Sequence, residues 1–184
     1  MAVPPPASMT EKAALRARMR AARLAFAPGE PIRVAPGFLE RLRPGLIVAS
    51  YRPTPGEADP APLERAAAVA GCALALPCLT DRSAPMTFRR WGEALVKGPY
   101  GIEQPPAESP EVAPGIILTP LVAFDRTGAR LGQGAGFYDR ACEVYPDAWR
   151  VGVAWSVQEA EAIPTDPWDI PLHAITTEKE WITP

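Results

Sequence analysis

Histidine occurs once in this chain of 184 residues, at His173, and cysteine three times, at Cys72, Cys78 and Cys142. With so few imidazoles and thiols, no Glu–His or Cys–His set is available to an acyl-transfer or phosphosugar enzyme. Three scattered cysteines make no disulfide framework and contain no C-x-x-C spacing for a metal or redox site. Cys72 and Cys78 flank the apolar "ALALP" and are expected to be buried thiols. No run of 18 apolar residues is present, so no membrane span is expected. "MAVPPPASM" lacks both the charged start and the apolar core of a signal peptide, which points to a reducing, cytoplasmic setting. Net charge is only −2, so no global field favours nucleic acid, although a local basic cluster remains open.

Hydrophobic residues make up 47% of the chain and charged residues 22%, as in a soluble globular protein. The length suits one domain with its own core. Proline is in excess, 24 residues against a usual share of about 5%. The prolines lie mostly between apolar segments, where they read as rigid loops.

Residues 1–9 read as a disordered tail and 10–184 as the folded domain. "TEKAALRARMRAARLAF" (10–26) is rich in strong helix formers, with Thr10 as the cap and Glu11 in the first turn. Leu15, Met19, Ala22 and Phe26 form its apolar stripe, and Lys12, Arg16 and Arg20 a basic stripe beside it. Strands are expected at "GLIVASY" (45–51), "CALALP" (72–77), "MTFRRW" (86–91), "IILTPLVAF" (116–124) and "WRVGVAW" (149–155). Helices are expected at "PLERAAAVAG" (62–71) and "GFYDRACEVY" (136–145). "GIEQPPAESPEVAPG" (101–115) carries four prolines and is expected to be loop throughout, and "AIPTDPWDIPLHAITTE" (162–178) a loop with a last strand. Strands alternating with helices predict an α/β fold: a single-domain layered sandwich, its mostly parallel twisted sheet flanked by helices.

"RLGQGAGFYDR" (130–140) stands between a predicted strand and a predicted helix. Glycine lets backbone approach a phosphate and adopt positive φ, and a helix N-terminus attracts anions. Spacing excludes the common nucleotide motifs. The third glycine of G-x-G-x-x-G falls on Phe137, and there is no G-K-[ST]. On spacing alone, a tight strand–helix turn and a phosphate cradle both stand. Arg130 before the glycines and Asp139 after them supply a cation for phosphate and a carboxylate for a metal riding on it. A salt bridge to Arg140 or a first-turn helix charge is the plainer role for Asp139.

"LTPLVAFDRTGARLGQGAGFYDRA" resembles the signature of the 5-formyltetrahydrofolate cyclo-ligases, also called methenyltetrahydrofolate synthetases. "KAALRARMRAARLAF", "YRPTPGEADPAPL", "YGIEQP" and "IPTDPWDIPLHAITTE" resemble the family's outer motifs, in family order, so the likeness spans about residues 10–178. It implies an enzyme using ATP and Mg2+ to convert 5-formyltetrahydrofolate, a reduced folate, to 5,10-methenyltetrahydrofolate, by phosphorylation of the formyl oxygen and attack of nitrogen-10.

The resemblance assigns Lys12 and Arg16 to ATP. It assigns Arg130, Leu131, Gly132, Gln133, Gly134, Ala135, Gly136, Phe137 and Tyr138 to the phosphate loop, with Arg130, Phe137 and Tyr138 as the catalytic candidates. Gln133 through Phe137 also face the folate in this reading. Asp139 and Asp169 match the magnesium positions, Glu57 the acid that holds the pterin side, and Arg52 and Tyr100 positions near the folate. A carboxylate suits Glu57's role, since it accepts two N–H bonds from an aminopyrimidine edge. Gln133 and Ala135 are uncharged where the family often has Gly, Lys or Arg. Phe137 replaces a frequent Tyr, and His173 stands where Asp is common. Ala135 and Phe137 keep a second reading alive, a non-catalytic nucleotide- or folate-binding paralogue. With no strong apolar surface stripe, a monomer is expected.

Overall fold

The computed structural model describes residues 9–81, 84–92 and 94–184. The tail expected at 1–9 lies outside them except for Met9, where helix α1 (Met9–Ala25) opens. Thr10 is therefore inside the first turn. Leu15, Met19 and Arg23 are the buried residues of α1. The inward stripe thus runs i, i+4, i+8 and ends on an arginine, with Ala22 and Phe26 only half-buried.

The main sheet is built from β1 (Ile47–Ala49), β2 (Ala73–Cys78), β3 (Thr87–Arg90), β6 (Ile116–Pro120), β9 (Trp149–Val153), β10 (Ala174–Thr176) and β11 (Trp181–Ile182). Their spatial order is β11-β10-β9-β6-β1-β2-β3. The five central strands are parallel, and β3 and β11 close the edges antiparallel. The α/β layered sheet expected from alternating elements is the fold observed.

Side-chain alternation along the strands sorts the core into two layers. Val48 and Leu118 point to the face that packs under α3 (Ala61–Val69) and the short α2 (Pro36–Leu39), with Phe38, Leu63 and Trp155. Their neighbours Ala49 and Ile117 point to the opposite face, with Phe88 and with Ala141 of α4 (Phe137–Val144). Helix α1 lies apart from both. Its Leu15 and Met19 pack on Val122, Ala123, Leu131 and Ile163.

Two expectations about strands need correction. The apolar run 116–124 is not one strand. It breaks after Pro120, and Ala123–Phe124 (β7) turns back as a hairpin onto Arg130–Leu131 (β8). Asp125 makes the turn: its Oδ1 accepts the Thr127 N–H at 2.9 Å, and its Oδ2 pins Ile163 N–H at 2.8 Å. The stretch 101–115 is not all loop either. Glu103–Gln104 (β5) pairs with Val96–Lys97 (β4). The Gln104 amide then brackets Leu79, accepting its N–H and donating to its carbonyl, both at 3.1 Å. Of the two cysteines expected to be buried, Cys78 is and Cys72 is half-buried.

The chain leaves β1 toward β2 on one side and β6 toward β9 on the other. These two strands are neighbours in the sheet, so their carboxyl ends diverge. A crevice at such a reversal point is where open α/β sheets bind ligands.

Candidate active site

A cleft of about 930 Å³ opens at that point. Tyr51 and Arg52 after β1, Pro77 and Leu79 around the end of β2, and Pro120 at the end of β6 form its floor. Every residue assigned to the site from the sequence lines this one cleft: Lys12, Arg16, Arg52, Glu57, Tyr100, the whole run Arg130–Asp139, and Asp169. His173 is not among its lining residues. It is exposed and bonded to Arg150, whose backbone N–H reaches His173 Nδ1 at 3.0 Å. Burial and the charges of Arg150 and Arg41 hold its imidazole below the ordinary histidine range.

The glycine loop follows the hairpin directly, so β7–β8 aims it at the cleft. Gly134 has φ of 106° and Gly136, which caps α4, 65°. An L side chain rarely takes either conformation. Asp139 lies in the first turn of α4, where its charge complements the positive helix end.

The basic stripe of α1 docks on three different partners. Lys12 Nζ lies 2.7 Å from both Asp166 Oδ2 and Asp169 Oδ2. Arg16 Nε donates to the Gly132 carbonyl at 2.9 Å. Arg20 Nη2 donates to Gln133 Oε1 at 2.6 Å. Burial lowers the affinity of Lys12 for its proton, but the two carboxylates outweigh it and the net shift is upward. Arg130 is 6% exposed and bridges two elements, giving one N–H to Asp139 Oδ1 at 2.5 Å and another to the Ile170 carbonyl.

Glu57 sits on the turn after β1. Its Oε2 accepts the Thr54 N–H at 2.9 Å, and its Oε1 faces Gln133 Nε2 at 3.4 Å and Arg23 Nη1 at 3.7 Å. The turn is held from both sides, by Tyr51 Oη donating to the Ala58 carbonyl and Trp155 Nε1 to the Gly56 carbonyl. Tyr138 faces the same carboxylate. Burial first, and the Glu57 charge second, push its phenol far above the usual tyrosine range. Its hydroxyl therefore remains a donor, and it makes no hydrogen bond to another described residue. Phe137 meets Tyr100 edge-on, centroids 5.6 Å apart, and the Arg140 guanidinium lies 5.0 Å from the Phe137 ring centre. Arg52 Nε is 3.7 Å from Glu103 Oε2 at the cleft rim.

Three residues escaped the sequence reading. Asp166 shares Lys12 with Asp169, and the doubled Asp in "TDPWD" was its signal. Trp168 lines the cleft and is 62% exposed. Arg23 is buried against Glu57, and its signal was its place on the Leu15–Met19 stripe.

Residues 8–178 match the 5-formyltetrahydrofolate cyclo-ligase family. The 5-formyltetrahydrofolate cyclo-ligase of Escherichia coli is 37% identical over 145 residues, covering 73% of this chain and 79% of that protein. Its namesake from Mycolicibacterium smegmatis is 32% identical over 158 residues, covering 79% and 81%. The solution structure of Aquifex aeolicus 5,10-methenyltetrahydrofolate synthetase superposes with a TM-score of 0.74 at 31% identity, covering 94% of this chain and 92% of that one. A sheet reversal that gathers the motifs of five distant segments into one cleft, and a match over nearly the whole length, lead to one conclusion: the chain belongs to the 5-formyltetrahydrofolate cyclo-ligase family.

Proposed function

We propose that the protein converts 5-formyltetrahydrofolate to 5,10-methenyltetrahydrofolate, consuming ATP with magnesium and releasing ADP and phosphate. The observation that carries this reading is a single cleft holding both a cation-flanked glycine loop and the buried Glu57, joined through Gln133. The names of the relatives support the folate conversion.

The donor set fits a nucleotide and a hard cation. Among the described residues no cluster of three or more His, Cys, Asp or Glu gathers as a metal cage. Magnesium does not need one, because it is commonly held by one or two carboxylates, with phosphate and water completing its shell. Asp139 and Asp169 both face the cleft and would hold it. ATP supplies the phosphoryl group that turns the formyl oxygen into a leaving group, and magnesium neutralises its phosphates.

The chain's own part is positioning and charge. Lys12, Arg16 and Arg130 hold the phosphates, with the bare backbone of Gly132, Gly134 and Gly136 allowing close approach. Arg130 is fixed by Asp139 and Ile170, so its charge is in place before substrate arrives. Glu57 accepts N–H bonds from the pterin edge and thereby sets where the formyl group lies. The Tyr138 hydroxyl donates to the reacting oxygen or to phosphate. Phe137 and Tyr100 provide an apolar wall, and Arg52 marks the folate side of the rim. The protein acts as a monomer on a small molecule.

Purified protein mixed with 5-formyltetrahydrofolate, ATP and magnesium should generate the methenyl chromophore, with one ADP per turnover. Tight ATP binding with no chromophore would overturn the enzymatic reading and leave the non-catalytic binding paralogue.

A further inference from the structure

Arg23 does not line the cleft, yet it is the most deeply buried charge on α1 and faces Glu57. Its side chain is 6% exposed and that of Glu57 9%. Nη1 lies 3.7 Å from Glu57 Oε1 and 3.4 Å from the Leu121 carbonyl. Nε is buried without a hydrogen-bond partner. A buried arginine with one donor unused is a costly arrangement to keep. Helix stability does not explain it, because the preceding stripe residues are apolar and a leucine would continue their packing.

Glu57 explains it. A carboxylate at 9% exposure needs an opposite charge, since a buried charge left alone is strongly disfavoured. Its hydrogen-bond partners among the described residues are uncharged: the Thr54 N–H and the Gln133 amide. The Gln133 amide is itself oriented by Arg20, whose Nη2 holds Gln133 Oε1. Two arginines one helical turn apart therefore converge on one carboxylate from behind, Arg23 directly and Arg20 through an amide.

From this we infer that Arg23 is a positioning residue, which holds Glu57 as a charged double acceptor for the substrate's N–H edge without touching the substrate. The inference rests on the reading of Glu57 as the folate-binding acid. It extends the site by a residue behind the cleft wall and makes helix α1 serve both ligands. Lys12 and Arg16 face phosphate, and Arg23, one turn beyond Arg20, sets the acid that reads the folate.

The test is a double-mutant cycle read by equilibrium binding of 5-formyltetrahydrofolate alone, with ATP binding measured separately and thermal unfolding as the fold check. Glu57→Gln should weaken folate binding by about tenfold or more, and Arg23→Gln by a similar factor. The double variant should be no weaker than Glu57→Gln alone, Arg23→Lys should recover most of the affinity, and ATP binding should stay within about twofold throughout. If Arg23→Gln fails to fold, Glu57→Gln/Arg23→Gln decides. Recovery of a folded protein supports the coupling, because no charge is then left unpaired, and failure of both overturns it. Additive losses, or a folded Arg23→Gln with unchanged folate affinity, also overturn it. An unchanged Glu57→Gln would instead remove the reading of Glu57 itself.

Discussion

Lys12 and Asp169 are in direct contact, Nζ to Oδ2 at 2.7 Å, and the same ammonium touches Asp166 at the same distance. One cation thus ties together two carboxylates that face the cleft. Under the proposed function, a phosphate entering there would offer Lys12 a new partner and free Asp169 for the metal. Lys12→Ala should therefore raise the KM for ATP by about tenfold or more and leave that for folate nearly unchanged. The same variant should bind Mn2+ more tightly than the parent without nucleotide, read by electron paramagnetic resonance. Equal effects on both substrates would count against Lys12 as a phosphate ligand.

Asp139→Asn keeps an acceptor for Arg130 while removing the charge. Magnesium-dependent turnover should fall by two orders of magnitude or more, on the scale of losing a key electrostatic group, roughly 3 kcal/mol, and the melting temperature should fall as well, because the buried Arg130 loses its opposite charge. Undiminished turnover would contradict the metal assignment.

Tyr138→Phe removes a hydroxyl donor from the cleft. The expected loss in kcat/KM corresponds to about 1–3 kcal/mol, roughly 5- to 150-fold. Because burial and Glu57 hold the parent phenol protonated, kcat/KM of the parent should show no alkaline limb from Tyr138 below about pH 10.

His173 titrates below its ordinary value of 6.5 because of burial and two nearby arginines. A depressed folded-state pKa contributes stability above the unfolded value and loses it as pH falls through the folded one. The parent should therefore lose melting temperature from about pH 6.5 downward by more than His173→Gln does. Parallel thermal profiles for the two proteins would remove His173 from the pH response. Activity at neutral pH should be equal in both, since His173 lies outside the cleft.

Much of this arrangement was readable in the chain. The glycine loop does sit between a strand and a helix, and the sheet is mostly parallel, because alternation of apolar runs with Ala-rich segments leaves few other layer architectures. The hairpin at Ala123–Leu131 escaped, because "IILTPLVAF" is apolar across the Pro120 break and period alone does not mark where pairing changes partner. The cue was the "DRTG" turn with Gly128 at its end. Edge strand β11 is two residues long, too short for any period. Arg23 and Asp166 were hidden for another reason. Their importance lies in which charge they face, and Glu57 and Lys12 are far away in sequence.

The contact between Lys12 and Asp166 spans 154 positions. Helix α1 and the segment around Asp166 and Asp169 are therefore joined by charge across most of the described chain. Closing this side of the cleft is thus a long-range event in folding, and its loop-closure entropy falls on the step that brings the two segments together.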